Sequence, residues 1–157
     1  MLLILLVVFG LFFWVIVRDS TKNIGVPPKN PPVDSMASEK KPAEKPDLLV
    51  VSSPLPETLI SDSPLVIQGK ARGKWFFEAT APVSVVNWDG LIIGEGYIKV
   101  NEGYDWMTTD FVPFTGTISY DATALGPYNY GFVILKKNNA SDDPQFDDSL
   151  EFKILFP

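Results

Sequence analysis

Residues 69–90 read GKARGKWFFEATAPVSVVNWDG. The stretch opens on two Gly-Lys pairs and an arginine, passes through Trp75, Phe76 and Phe77, and ends on Asp89-Gly90. Three readings compete for it: a basic and aromatic nucleic-acid surface, a catalytic carboxylate (Glu78) in an apolar pocket, or strands meeting at the corner of a sandwich. Alternation separates them. Leu65, Ile67, Gly69 and Ala71 alternate with Val66, Gln68, Lys70 and Arg72, which is the two-residue period of a half-buried strand. Gly73 breaks the run. Trp75–Thr80 then leads into a further strand, Val83–Trp88. Asp89-Gly90 turns that strand back into Leu91–Val100, because glycine takes positive φ at little steric cost. Gly94 and Gly96 predict a bulge or bend in the return strand. Lys70 and Arg72 thus face outward from a strand whose inward side is Ile67, Gly69 and Ala71. The charges and the rings belong to opposite sides of a pleat.

The same signals continue in both directions. Leu48–Ser52 predicts an opening strand, closed by the region of Pro54 and Pro56. Phe111–Tyr120 puts Phe114, Gly116, Ile118 and Tyr120 on one face, with Thr115, Thr117 and Ser119 on the other. Tyr128–Lys137 follows a loop containing Gly126-Pro127. At the end of the chain Leu150, Phe152, Ile154 and Phe156 alternate with Glu151, Lys153 and Leu155. Short strands divided by turns, with polar outward positions, predict an all-β, antiparallel β-sandwich of seven or eight strands over residues 48–157.

Two zones precede it. Residues 1–17, MLLILLVVFGLFFWVIV, carry no charge. As a helix they would span about 25 Å, the lower limit for crossing a bilayer. Trp14 and Arg18 suit an interface. A cleaved signal peptide is the rival reading, but the run is long and bulky and no small-x-small site follows it. Residues 1–18 are therefore expected to be a single transmembrane anchor with the C-terminal domain outside the cytoplasm. Arg18 and Lys22 on the C-terminal side argue for the opposite orientation by the positive-inside rule. Residues 19–47 are expected to be a disordered linker. Pro27, Pro28, Pro31, Pro32, Pro42 and Pro46 interrupt it, and its polar remainder cannot bury enough surface to offset the entropy of ordering.

Composition narrows the function. The 157 residues contain neither cysteine nor histidine. There is no thiolate nucleophile, no disulfide framework and no imidazole base or metal ligand. The net charge is −6, and residues 48–157 hold seven Lys and Arg against fourteen Asp and Glu. Such a field repels a phosphate backbone, so nucleic acid is not an expected partner.

The run SPLVIQGKARGKWFFEATAPVSVVNWDGLIIGEG resembles the immunoglobulin-like domain of bacterial spore germination proteins. The resemblance is carried by Ser63-Pro64, Gly69 and Ala71, Phe77-Glu78 and Asp89-Gly90, with Pro113-Phe114 and a last strand after an acidic loop. It covers residues 49–157. It implies an exported or surface-anchored sandwich module, and it implies no catalytic residue and no cofactor. The layout of anchor, linker and one domain adds nothing that ties it to germination.

Few side chains stand out as sites. Glu78, between Phe77 and Ala79, is expected to be partly buried and to accept backbone N–H bonds at a strand corner. A glycosidase would need a second carboxylate about 5–10 Å away, and no spacing identifies one. Asp142, Asp143, Asp147 and Asp148 offer oxygen ligands for calcium but miss the spaced Asp-x-Asp-x-Asp-Gly loop, and a solvated loop is the alternative. Tyr104, Trp106 and Met107 lie in the loop 101–110. They suit either ligand contact or capping of the sandwich end. The expectation is a non-catalytic envelope protein, anchored through residues 1–17. Its domain would bind a protein or have a structural role, with binding to cell-wall or surface glycan as the alternative.

Overall fold

The computed structural model describes residues 40–157. The expected anchor, and the linker as far as residue 39, lie outside them. Among the described residues no helix is long and apolar enough to cross a membrane.

Eight strands form one hydrogen-bonded antiparallel sheet: β1 (Ala43–Lys45), β2 (Leu49–Ser53), β3 (Leu65–Arg72), β4 (Thr80–Asn87), β5 (Ile92–Val100), β6 (Phe111–Ile118), β7 (Tyr130–Lys136) and β8 (Ser149–Leu155). Their order is β1-β2-β3-β6-β5-β4-β7-β8. The sheet folds over on itself, so that β1-β2-β3-β6 and β4-β7-β8 pack as the two layers of a sandwich. Strand β5 belongs to both. Ile98 is registered with Ala81 of β4 on one side and with Gly116 of β6 on the other.

Period-two alternation fills the core. Leu65, Ile67 and Ala71 meet Ile118, Gly116 and Val112 across β3 and β6. From the other layer come Val83, Val85, Val133, Leu135, Phe152 and Ile154, all buried. Gly69 is required by close approach, because a Cβ there would lie 2.2 Å from the Val50 carbonyl oxygen and 2.7 Å from the Phe114 ring. The bulge predicted in the return strand is present. The register shifts opposite Val85 and Val86, which pair with Gly94 and Ile92.

The β4–β5 hairpin is organised by Asn87, which is buried. Its Oδ1 accepts from the amides of Asp89 (3.2 Å) and Leu91 (3.0 Å), its Nδ2 donates to the Ala124 carbonyl (2.9 Å), and Gly90 takes φ +87°. At the same end of the sandwich Tyr120 packs on Phe156, with ring centroids 5.4 Å apart. Burial, reinforced by the negative charge of Asp62, raises the Tyr120 phenol above its ordinary pKa.

Three features add to the sequence reading or change it. The stretch that leads into β4 is a short 3-10 turn, Gly73–Trp75, followed by a tight reversal over residues 77–80. The folded part starts before residue 48, because β1 pairs Ala43 with Val51 and Lys45 with Leu49. A segment rich in proline and charge forms a strand here because its edge position asks for only three residues. Its one buried side chain is Ala43, and Lys45 pairs with Asp148 at the start of β8. The third change concerns the outward faces, which are not uniformly polar.

Two measurements check this fold. Ile98→Ala empties the position where both layers meet, so denaturant unfolding should show a loss of about 2–5 kcal/mol. The Tyr120 phenol favours the neutral form in the folded state. Its contribution is therefore complete below the unfolded phenol pKa and is lost as pH rises through the higher folded value. Stability should fall above about pH 10, and Tyr120→Phe should remove that part of the decline in alkaline melts.

Candidate functional site

The corner that opens the chemistry is built from backbone. Phe77 and Thr80 exchange hydrogen bonds (3.0 and 3.1 Å), and both residues between them have positive φ, Glu78 at +51° and Ala79 at +58°. This is the pattern of a type I′ turn, which ordinarily selects Asn-Gly. Asn138 holds it from outside, its Nδ2 donating to the carbonyls of Thr80 (3.1 Å) and Phe77 (3.3 Å). The Glu78 side chain is exposed. It does not sit among the flanking aromatic rings, because the reversal turns it outward, and no described hydrogen bond reaches its carboxylate. Trp75, beneath the turn, is fully buried, and its indole N–H meets no acceptor among the described residues.

Loop 101–110 lies across the same end. Asx and Ser/Thr turns shape it: the Met107 amide donates to Asp105 (2.8 Å) and the Asp110 amide to Thr108 (3.1 Å). A Cβ on Gly73 would lie 2.2 Å from the Trp106 carbonyl oxygen, so only glycine lets the loop settle there. Arg72 clamps it. The guanidinium donates to the carbonyls of Asp47 and Thr109, both at 3.1 Å, and lies 4.2 Å from the centre of the Phe111 ring. Trp106 is half-buried against the core and meets Phe77 edge-on at 6.1 Å. It caps the sandwich end. Tyr104 (57% exposed) and Met107 (73%) point away from the core. Trp106 and Met107 share a shallow depression of about 310 Å³ with Lys74 and Thr108.

The four loop aspartates do not converge. Asp143 accepts from the Gln145 amide (3.1 Å), Asp147 from Asn139 Nδ2 (2.8 Å), and Asp148 pairs with Lys45. Among the described residues no group of three acidic side chains is placed to hold a metal ion.

The most distinctive surface is a sheet face. Outside β3 and β6 the residues are mainly polar: Gln68, Lys70, Arg72, Thr115 and Thr117. Outside β5-β4-β7-β8 they are not. Ile92, Val86 and Phe132 lie in one row across three strands, and Ile134 and Leu155 share their side. The cover is dense enough to bury outward-facing Val86 (6% exposed) and Ser84 (7%), while Ile92 (51%) and Tyr97 (55%) project from it. Aromatic rings continue the face in a chain of contacts: Trp88 to Tyr128 at 4.8 Å, Tyr128 to Tyr130 at 6.1 Å, and Tyr130 to Phe132 at 6.1 Å. Lys153 Nζ lies 4.8 Å from the centre of the Tyr130 ring. Exposed apolar surface of this kind makes the face a candidate contact surface. Sequence reading missed it. The run Tyr130–Lys136 is nearly all apolar and shows no alternation to reveal an outward side.

Residues 48–142 match the family described as the immunoglobulin-like domain of bacterial spore germination. The chain belongs to this family. The match spans β2 to β7 and therefore most of the apolar face, whereas the two edge strands, β1 and β8, lie outside it. No curated protein and no solved structure matches the chain. The immunoglobulin-like assignment agrees with the rolled antiparallel sheet.

The turn offers a direct check on Glu78. Each left-handed non-glycine residue carries on the order of 1 kcal/mol of strain. The double substitution Glu78→Asn and Ala79→Gly should therefore raise stability by about 0.5–1 kcal/mol in denaturant titrations. A loss of stability would instead show the carboxylate to be structural.

Proposed function

We propose that this protein is a non-catalytic, membrane-anchored component of the cell envelope whose immunoglobulin-like domain binds a protein. The observation that carries the binding role is the apolar outer face of β5-β4-β7-β8. A soluble domain of this size has no stability reason to expose Ile92, Tyr97 and Tyr128 together, and a partner that covers them gains burial of about 25 cal/mol per Å². The anchoring role is supported by the uncharged run of residues 1–17. Its length suits a bilayer, and the Pro-rich residues that follow suit a spacer.

A protein suits the face better than a glycan. Stacking on sugar rings favours aromatic side chains that lie flat and nearly coplanar. Here successive rings are tilted by 63°, 46° and 89°. The glycan alternative rests on the exposed Tyr104 and on Trp106 at the sandwich end.

External protease applied to intact cells tests both parts. Trypsin should cut at lysines of the linker, such as Lys29, and release the folded domain into the medium. Full protection of the domain would overturn the extracytoplasmic placement. In affinity electrophoresis through cell-wall polysaccharide the domain should run unretarded. Retardation that Tyr104→Ala or Trp106→Ala abolishes would favour the glycan reading.

A further inference from the structure

We infer that the occupant of the apolar face is a second copy of this chain, docked face to face about a two-fold axis. The inference rests on the reading of that face as the contact surface, and it is carried by where the charge lies. In residues 48–157 only two of fourteen carboxylates, Glu95 and Glu151, lie in strands, and both face outward on this sheet beside Lys99, Lys136 and Lys153. The face holds three lysines against two glutamates. The remainder of those residues holds four Lys and Arg against twelve Asp and Glu, all twelve in turns and connections. In a two-fold contact each patch meets its own copy, so the acidic connections, or the faces carrying Lys70 and Arg72, would oppose like charges, whereas the balanced faces do not. A two-fold contact uses the same patch twice, and this patch offers both signs on one strand, Glu151 and Lys153.

Edge-to-edge association is closed off. The outer edge of β8 is already paired with residues 57–60: Glu57 N donates to Lys153 O (2.7 Å), Leu155 N to Thr58 O (2.9 Å) and Ile60 N to Leu155 O (2.8 Å). At the opposite edge β1 is only three residues long and ends on the Lys45–Asp148 ion pair. Short and covered edges resist strand addition.

Size sets the strength. Four strands of about seven residues, at ~4.8 Å spacing and ~3.3 Å rise, give a face of about 19 by 23 Å. That is below the ~800 Å² per partner of a stable interface, so the dimer is weak and depends on local concentration.

The absence of cysteine makes the test clean. Full-length chains carrying one cysteine on the apolar face, Ile92→Cys, or on the polar face, Gln68→Cys or Thr117→Cys, are treated in native membranes with a short bismaleimide. Ile92→Cys should give an adduct of twice the chain mass at about tenfold the yield of either control. Adding the exposed substitution Tyr97→Lys to the Ile92→Cys chain should return the yield to control. Equal yields from both faces, no doubled mass, or a yield unmoved by Tyr97→Lys would each overturn the inference. An adduct of Ile92→Cys with a protein of another mass would also overturn it, while leaving the face as a protein-binding surface.

Discussion

The fold depends on one strand serving two layers. β5 pairs along most of its length with β4, and its last three residues also pair with β6. Ile98 stands at the crossing, fully buried, with Ala81 and Gly116 on either side. The small neighbours matter as much as the isoleucine. A Cβ at position 116 would lie 2.8 Å from the Ile98 side chain, so glycine there lets the strands close. Because the crossing ties β4-β7-β8 to β3 and β6, the eight strands form one continuous sheet. One inner face becomes the core, and two outer faces remain to be distinguished by their side chains.

That distinction is chemical. One outer face has the threonines, glutamine and long basic side chains expected of a solvated sheet. The other has an isoleucine, valine and phenylalanine row, flanked by interlocked rings. Acidic residues are almost confined to the connections, so the domain has acidic ends and a flank on which Lys99, Lys136 and Lys153 balance Glu95 and Glu151. The same division explains why Lys70 and Arg72 form no anion site. They stack on Phe111, and Arg72 is committed to the carbonyls that hold loop 101–110 in place. Lys70 is held on a ring, and Arg72 acts as a clamp on backbone and ring together.

Much of this was legible in the chain. Leu65–Ala71, Phe111–Tyr120 and the last strand alternate with period two, and the structure has a strand at each, the second ending at Ile118, because a pleat with one buried side leaves that imprint. The Asp89-Gly90 hairpin was equally plain. The course of Trp75–Thr80 was not, since the reversal depends on two non-glycine residues at positive φ that no propensity marks. Of the site residues, the loop position of Tyr104, Trp106 and Met107 was visible. Their division into a capping indole and two outward side chains came from packing against Phe77 and Gly73.

The sequence by itself determined an all-β class, the approximate strands, the lack of histidine and cysteine chemistry, and an acidic surface. These follow from composition and from periodicities that each segment carries alone. Only the tertiary structure decided which faces of β4, β5 and β7 look outward, that β5 joins both layers, and that Ile92, Val86 and Phe132 fall in one row. Those residues are distant along the chain, and strand register brings them together. An apolar run buried on one side and exposed on the other looks the same in sequence as one buried on both.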